Sequence, residues 1–216
     1  MTIIVYIVIK RIFFAMPKTF TIHEKEYIKK KLLEEARKCL KQYGVKKTSV
    51  DELVKRANIS KGSFYLFYTS KEALFFDVLC EFHDELHYEI LNQIDTLDNC
   101  ISIEKITEII FKLYKKVESS FLYQFILNGD LELLIRKLPD QTILDHIQKD
   151  DSSMKEVLSR LPGVDTANLE YYSAALRAIF LSMFHRKEIS EFLYDDALKL
   201  MLKGIIIQMF EEGNYD

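Results

Sequence analysis

Residues 45–79, VKKTSVDELVKRANISKGSFYLFYTSKEALFFDVL, decide the fold of this chain. Hydroxyl residues recur where helices are expected to begin: Thr48 and Ser49 precede one apolar-periodic run, and Ser60 precedes the next. Asn58 stands between the runs, and asparagine is one of the few non-glycine residues that tolerates a left-handed helix end. Two short helices joined by a tight three-residue turn predict a helix-turn-helix, whose second helix enters a DNA major groove.

The second helix is predicted from Lys61 to about Tyr68, and its first turn reads Lys61-Gly62-Ser63. The lysine supplies a charge for phosphate and the serine supplies a small hydroxyl. Glycine costs a helix about 1 kcal/mol relative to alanine, so another requirement must favour it. Close approach to a nucleic-acid backbone or base edge is the favoured reason. The alternative is that Gly62 packs tightly against another helix of the protein.

The stretch TSVDELVKRANISKGSFYLFYTSKEAL, residues 48–74, resembles the DNA-binding domain of the tetracycline-repressor (TetR) family of transcriptional regulators. The match is specific because many fixed offsets agree at once, and it extends over roughly 26–86 when the preceding helix is included. The resemblance implies a ligand-responsive regulator, most often a repressor, that binds a palindromic operator as a dimer. The implied DNA-contacting residues are Thr48, Lys61, Gly62, Ser63, Tyr65, Tyr68 and Lys71.

The chain departs from the family pattern at three positions. Asn58 stands where the family usually has glycine, Phe67 where it has histidine or tyrosine, and Tyr68 where it has phenylalanine. Phe67 cannot donate a hydrogen bond, so the family's phosphate contact is not assigned to it. Tyr68 either takes over that contact or packs with its hydroxyl at the rim of the core.

Charge is distributed unevenly along the chain. The formal net charge is −3, but residues 16–71 carry +8 and residues 72–216 carry −13. A basic segment beside an acidic one is typical of a nucleic-acid-binding protein. Lysines that merely solvate helix faces would not explain why the acidic residues collect elsewhere.

Composition predicts an all-α fold. The 216 residues are 49% hydrophobic, contain six glycines and three prolines, and show no strand alternation. We expect a three-helix DNA-binding domain over 16–86, with its motif at about 49–68. A helical effector-binding and dimerisation domain would occupy 87–216. The three cysteines have no paired spacing, which favours reduced thiols and a cytoplasmic protein.

Residues 1–15, MTIIVYIVIKRIFFA, form an apolar segment interrupted at Lys10 and Arg11. Its uninterrupted run is far shorter than the roughly 20 residues that span a bilayer, and it lacks the charge order of a signal peptide. We expect that translation starts at Met16 and that residues 1–15 are a doubtful extension. A weak membrane-surface anchor is the alternative.

Periodicity predicts the remaining helices. The first runs from His23 to Tyr43 and ends at Gly44, and its apolar face comprises Tyr27, Leu32 (or Ile28), Ala36 and Leu40. A long fourth helix, from Lys71 to about residue 91, is expected to be the sole link between the DNA-binding head and the body. Separate helices are expected at 141–149 and 152–161, and two long ones at 166–185 and 194–212.

The last two helices predict a dimer interface, since both are apolar around much of their circumference. The resemblance implies that they pair with those of a second copy as a four-helix bundle; the alternative is that both stripes are intramolecular core. The candidate interface residues are Ala175, Ala178, Ser182, Met201, Ile205 and Met209.

The body is expected to hold an apolar pocket for an unknown small-molecule effector. Pockets of this kind are mostly apolar with a few placed polar groups. Arg136, Arg177 and His185 are polar residues inside otherwise apolar helices, so they are the candidate effector contacts.

A metal-binding protein or metalloenzyme is the competing function class. His83 and His87 lie at i and i+4, a spacing that could ligate zinc. A metalloprotease signature would need glutamate directly after the first histidine, where Asp84 stands, and no third ligand is evident. We therefore expect no metal, no cofactor and no catalytic residues.

Overall fold

A computed structural model describes residues 20–96, 102–161, 163–164 and 166–211. Over these residues the fold is all-helical, as predicted, and no strand occurs among them. Residues 1–15, whose translation is in question, and Cys100 lie outside the described residues. The α-helices are α1 (Ile22–Lys47), α2 (Val50–Ala57), α3 (Lys61–Phe64), α4 (Lys71–Asp95), α5 (Ile103–Glu118), α6 (Phe121–Leu127), α7 (Asp130–Ile135), α8 (Asp140–Ser159), α9 (Leu169–Ser182), α10 (Arg186–Ser190) and α11 (Tyr194–Glu211).

Side-chain caps start the helices of the DNA-binding motif. Ser49, Ser60 and Ser70 each accept a hydrogen bond from the backbone N–H three residues on, which confirms the predicted starts of α2, α3 and α4. Of the two candidates for the start of α2, Ser49 is the cap. Asn58 ends α2 in the left-handed conformation, with φ 56° and ψ 47°, as its residue type predicted.

Helix α1 differs from its prediction in length and in its buried face. It continues to Lys47 across a break at Gly44, where φ is 72° and ψ is −176°. Ile28 is buried on the core side, whereas Tyr27 is exposed. The i+4 and i+8 positions from Ile28 are Leu32 and Ala36, both fully buried, so the helical period selects Ile28 rather than Tyr27.

Several other boundaries differ from the sequence prediction. Helix α3 has only one turn, because a tight turn over residues 65–67 follows Phe64 directly. The helices expected at 141–149 and 152–161 are one helix, α8. The polar connection at Arg186–Ser190 is itself helical, and short 3-10 turns at Thr166–Asn168 and Met183–His185 flank α9.

A head core packs α1 to α4 together, and it also receives α6 and α7. Phe125 of α6 and Leu134 of α7 are buried in it beside residues of α1, α2 and α4. Helix α4 is therefore not the sole link between head and body, contrary to the prediction. The buried members of the head core are Ile28, Leu32, Ala36, Cys39, Leu40, Val45, Leu53, Val54, Ala57, Phe64, Tyr68, Leu74, Phe75, Val78, Leu79, Phe125 and Leu134.

A second cluster, the body core, packs α5, α8, α9 and α11 around the end of α4. Helix α11 contributes Leu198, Leu202, Ile206 and Met209, which are almost completely buried. One face of α11 is therefore used within the monomer. None of the described helices combines the length and the apolar character that a bilayer-crossing segment needs.

Candidate nucleic-acid interface

The α2–turn–α3 unit is held by its apolar side and presents a polar edge. Leu53 and Phe64 are completely buried in the head core, which fixes α2 and α3 against α1 and α4. On the opposite side, Lys61, Gly62 and Tyr65 are exposed. The anchor and the exposed edge lie only a few residues apart, so the placement of α3 is set by the packing of Phe64.

A surface cleft of about 460 Å³ runs beside this edge. It contains four lysines and only two acidic residues, so cationic groups dominate its surface. Its lining residues come from the end of α1, the start of α2, α3 and the start of α4: Lys46, Lys47, Thr48, Ser49, Val50, Asp51, Lys61, Tyr65, Thr69, Ser70, Lys71 and Glu72.

Lys61 lies at the mouth of this cleft. Its Nζ is 2.9 Å from Oδ1 of Asp51 on α2. The hydrogen bond to Asp51 raises the pKa of Lys61, so the ammonium stays charged at neutral pH. Both groups are largely exposed, and such surface pairs are worth little. The lysine can therefore exchange Asp51 for an anionic ligand at small cost.

Packing against the described residues does not explain Gly62. Among those residues, a Cβ at this position would meet only Oγ of Ser60, at an ordinary 3.9 Å. The alternative that Gly62 packs tightly against another helix therefore has no support. Ser63 is half-buried, and its hydroxyl lies 2.8 Å from that of Ser60.

Tyr65 is 52% exposed, and its ring meets Phe64 edge-on, with centroids 5.3 Å apart. The buried Phe64 thus steadies an aromatic side chain whose remaining surface faces the cleft. This arrangement suits contact with a sugar, a phosphate or a base edge.

Two of the predicted DNA-contacting side chains are buried instead. Thr48 is 1% exposed, and its hydroxyl donates to the carbonyl of Gly44 at 2.8 Å. Tyr68 is 6% exposed and donates to Oδ2 of Asp77 at 3.0 Å; burial is the main cause that raises its pKa. Each hydroxyl is therefore bonded to a partner within the fold, which for Tyr68 is the packing alternative stated above, and the structure gives neither side chain an exposed group for DNA.

Lys71 is also engaged within the fold. Its Nζ donates to the carbonyls of Val45 and Thr48, at 2.7 Å each. The ammonium thereby joins the start of α4 to the end of α1, and this structural role accounts for Lys71 without a DNA contact.

Sequence reasoning missed Lys46 and Lys47, which are exposed beside the cleft. Two adjacent lysines just after the helix-breaking Gly44, with Val45 between, were the available signal.

The predicted effector contacts do not converge. Arg136, Arg177 and His185 are all exposed, and Arg177 is paired with Asp151 on α8. Aromatic residues of the body are used by the body core; Tyr114, for example, is buried there and donates to the carbonyl of Leu176 at 2.8 Å. A second surface cleft, of about 620 Å³, is lined mainly by polar side chains: Glu85, Tyr88, Glu89, Asn92, Gln93, Thr96 and Lys116.

The predicted dimerisation residues divide between core and surface. Met209 is completely buried in the body core, and Ser182 hydrogen-bonds with the hydroxyl of Tyr194. Ala175 and Ile205 are half-buried, whereas Ala178 and Met201 are exposed. Large apolar side chains that sequence reasoning missed are exposed nearby on α9, on α11 and before it: Tyr171, Leu181, Phe192, Leu193 and Leu200.

The two histidines of the metal alternative face carboxylates of α8. Nε2 of His87 is 3.1 Å from Glu156, and Nε2 of His83 is 3.2 Å from Asp150. Among the described residues, no group of three or more His, Cys, Asp or Glu side chains is placed to hold a metal ion. The pair therefore contributes to a polar seam between α4 and α8.

Comparison with known proteins gives a family match over the segment that contains the α2–turn–α3 unit. Residues 32–78 match the family model described as bacterial regulatory proteins, tetR family. The chain is 44% identical over 63 residues to the HTH-type transcriptional regulator YuxN of Bacillus subtilis (strain 168), covering 29% of this chain and 22% of that protein. The chain thus spans less than a quarter of that relative.

Two solved structures share the fold over most of the chain. The TetR family repressor AlkX from Dietzia sp. strain DQ12-45-1b superposes with a TM-score of 0.61 at 14% identity, covering 84% of this chain and 96% of that one. The transcriptional regulator FadR from Bacillus subtilis, in complex with stearoyl-CoA, gives a TM-score of 0.55 at 14% identity, covering 84% and 97%. At these identities the likeness establishes the fold alone, and the resemblance of the sequence to the TetR family is confirmed by the family model.

Proposed function

We propose that this chain, whose N-terminal domain belongs to the tetR family of bacterial regulatory proteins, is a repressor that binds operator DNA as a homodimer. The exposed edge of α3 carries the proposal: Lys61, Gly62 and Tyr65 face solvent beside a lysine-rich cleft, while Phe64 anchors the helix from behind. A short helix held in this way can enter a major groove, with its polar edge toward phosphates and base edges.

The surface left over by the body core supports the proposed dimer. Tyr171 and Leu181 of α9, and Leu200 and Met201 of α11, are exposed apolar side chains on neighbouring helices. Apolar surface shared by neighbouring elements is typical of a protein interface. A two-fold dimer would present two copies of α3 to successive major grooves, about 34–36 Å apart, and would therefore read an inverted repeat.

The body, residues 87–216 in this proposal, binds a small-molecule effector that releases the DNA. The fold accepts such a ligand in FadR, which was solved with stearoyl-CoA. In this chain the supporting feature is the aromatic content of the body core, where Tyr114, Phe180 and Phe184 are in ring contact. A ligand would enter by separating these rings. The proposal assigns the chain to the cytoplasm, without catalytic activity or a resident cofactor.

Selection from a library of random DNA duplexes tests the proposed function. The purified protein should enrich one inverted repeat, with half-site centres about one helical turn apart. Lys61→Glu is the control, because it reverses the charge at the exposed edge while leaving the head core intact. If the sequences of the duplexes that the protein retains do not differ from those of the input library, sequence-specific binding is contradicted.

A further inference from the structure

Asp130, the first residue of α7, connects the second half of the chain to the start of the DNA-reading unit. Its Oδ2 accepts a hydrogen bond from the backbone N–H of Val45 at 3.1 Å, across 85 residues of sequence. The carboxylate side chain is almost fully buried, and Val45 is completely buried. A charged acceptor on a buried N–H is the stronger kind of hydrogen bond, and it sits four residues before the cap of α2.

Gly44 shows that the backbone of α1 is shaped around this carboxylate. A Cβ on Gly44 would lie 2.5 Å from Oδ2 of Asp130, and the residue has a φ of 72°. Both conditions demand glycine: the positive φ excludes most side chains, and the carboxylate occupies the space that a side chain would need. The break in α1 at Gly44 and the position of Asp130 are therefore one feature.

The contact continues into the helix-turn-helix through a polar junction. This junction comprises Gly44, Val45, Thr48, Lys71 and Asp130. The hydroxyl of Thr48 donates to the carbonyl of Gly44, and Nζ of Lys71 donates to the carbonyls of Val45 and Thr48. One connected set of hydrogen bonds thus joins α7, the end of α1, the start of α4 and the segment that leads into α2.

Helix α7 packs against the head core and is connected to the body core through α6 and α5. Leu134 on the same helix is completely buried in the head core, beside Phe125 of α6. Helix α6 in turn follows α5 directly, and α5 buries Tyr114 and Val117 in the body core. A shift of α5 in the body therefore reaches Asp130 through α6 and the short turns on either side of it.

We infer that Asp130 is a positioning residue through which the body sets the placement of α2, and with it the DNA-reading edge of α3. The inference rests on the proposed function. While the Asp130 carboxylate accepts the hydrogen bond from the N–H of Val45, the segment 44–48 is fixed and α2 begins in one orientation. Withdrawal of α7 removes this acceptor. The backbone of the segment 44–48 can then move at Gly44, and the start of α2 becomes less fixed. This route includes the start of α4, because Lys71, the first residue of that helix, donates to the carbonyls of Val45 and Thr48.

Amide hydrogen exchange on the full-length protein tests the inference, with and without a duplex that the wild-type protein selects from a random library. Coupling between two sites is reciprocal, so DNA bound at the head must stabilise α7. We expect duplex binding to slow exchange of the amides in residues 130–135 in the wild-type protein. Asp130→Ala should lose this slowing, exchange faster over residues 45–48 when free, and bind the duplex about tenfold more weakly.

Two further variants separate positioning from general stability. Asp130→Asn retains an acceptor oxygen for the Val45 N–H, so it should keep the slowing in α7. Asp140→Ala removes an exposed carboxylate from the first turn of the next helix, α8, and should behave as the wild-type protein. If Asp130→Ala does not fold, Asp130→Ser replaces it, because the hydroxyl is one bond shorter and cannot reach the N–H.

The outcomes distinguish this inference from the function on which it rests. Equal slowing of exchange in α7 in the wild-type protein and in the Ala or Ser variant, with equal affinity for the duplex, would overturn the role of Asp130 and leave the DNA-binding function intact. If the wild-type protein selects no duplex, the proposed function fails and the inference fails with it.

Discussion

Nε2 of His83 on α4 lies 3.2 Å from Oδ1 of Asp150 on α8. The same carboxylate oxygen is 3.6 Å from Nε2 of His146, whose Nδ1 faces Sγ of Cys80 at 3.7 Å. Asp84 and His87 of α4, and Lys149 and Glu156 of α8, complete this polar seam. Nδ1 of His83 and Oδ1 of Asp150 are buried, and neither makes a hydrogen bond to the part of the chain that the structure describes. Most of the His83 side chain is buried in this seam.

We expect the protein to lose stability as the pH falls below about 6.5, the ordinary value for histidine. Burial lowers the pKa of His83, with His146 adding to the effect and Asp150 opposing it. The unfolded chain then binds a proton more readily than the fold does. The stability that neutral His83 contributes is complete above the pKa of the unfolded chain. It is lost as the pH falls from that pKa to the lower pKa of the folded protein. The slope for this single group is at most about 1.4 kcal/mol per pH unit.

Urea unfolding between pH 7.5 and 5.5 measures this dependence. His83→Asn cannot titrate and should show a shallower loss of stability on the acid side. His185→Asn, which replaces an exposed histidine, is the matched control and should follow the wild-type curve. Identical slopes in the wild-type protein and His83→Asn would rule out His83 as the responsible group.

Gly62→Ala should separate DNA binding from stability. Of the residues that the structure describes, the new Cβ meets only Ser60, and alanine favours a helix over glycine by up to about 1 kcal/mol. Unfolding should therefore show equal or slightly higher stability, while DNA affinity falls because a methyl group stands on the exposed edge. Full DNA affinity in Gly62→Ala would remove the explanation given for this glycine.

Lys71→Ala should behave as a structural mutation. The loss of its ammonium leaves the carbonyls of Val45 and Thr48 without their donor, which costs about 1–3 kcal/mol if they remain buried. Lys47→Ala removes an exposed lysine from the same cleft and should leave stability unchanged within about 0.5 kcal/mol. Denaturant midpoints compare the two, and equal midpoints would contradict the role assigned to Lys71.

Local signals in the sequence predicted the helices of the head, because capping depends on residues three or four apart. Ser60, Ser70 and Asn58 each act within their own turn, so no tertiary information was needed. The capping box of Thr21 and Glu24 at the start of α1 is of the same local kind.

Burial of polar side chains could not be predicted in the same way. Thr48 and Tyr68 have hydroxyls that suit phosphate contacts, but in the structure these groups bond to Gly44 and Asp77 instead. The Asp130–Val45 hydrogen bond spans 85 residues and leaves no periodic signal. The exposed face of α11 was equally hidden, because a helix that is apolar on most sides does not reveal which side its own domain covers.

Two charge substitutions on α11 should have different consequences. Leu200 is 74% exposed, so Leu200→Lys should fold and yield a monomer if this face meets a second copy. Met209 is fully buried, so Met209→Lys should unfold the chain, since burial of an unpaired ion costs several kcal/mol. Sedimentation velocity and far-UV circular dichroism report the two results. A Leu200→Lys dimer as stable as the wild type would exclude this face from the interface.

The salt dependence of DNA affinity tests the central claim, that the exposed edge of α3 contacts DNA, most directly. Each phosphate that a lysine neutralises contributes about −0.9 to the slope of log K against log salt concentration. Lys61→Ala should weaken binding to the selected duplex and reduce the magnitude of that slope by about one. Lys187→Ala, which removes the same charge from an exposed position in the body, should leave the slope unchanged. An unchanged slope in Lys61→Ala, or an equal reduction in both variants, would contradict the account.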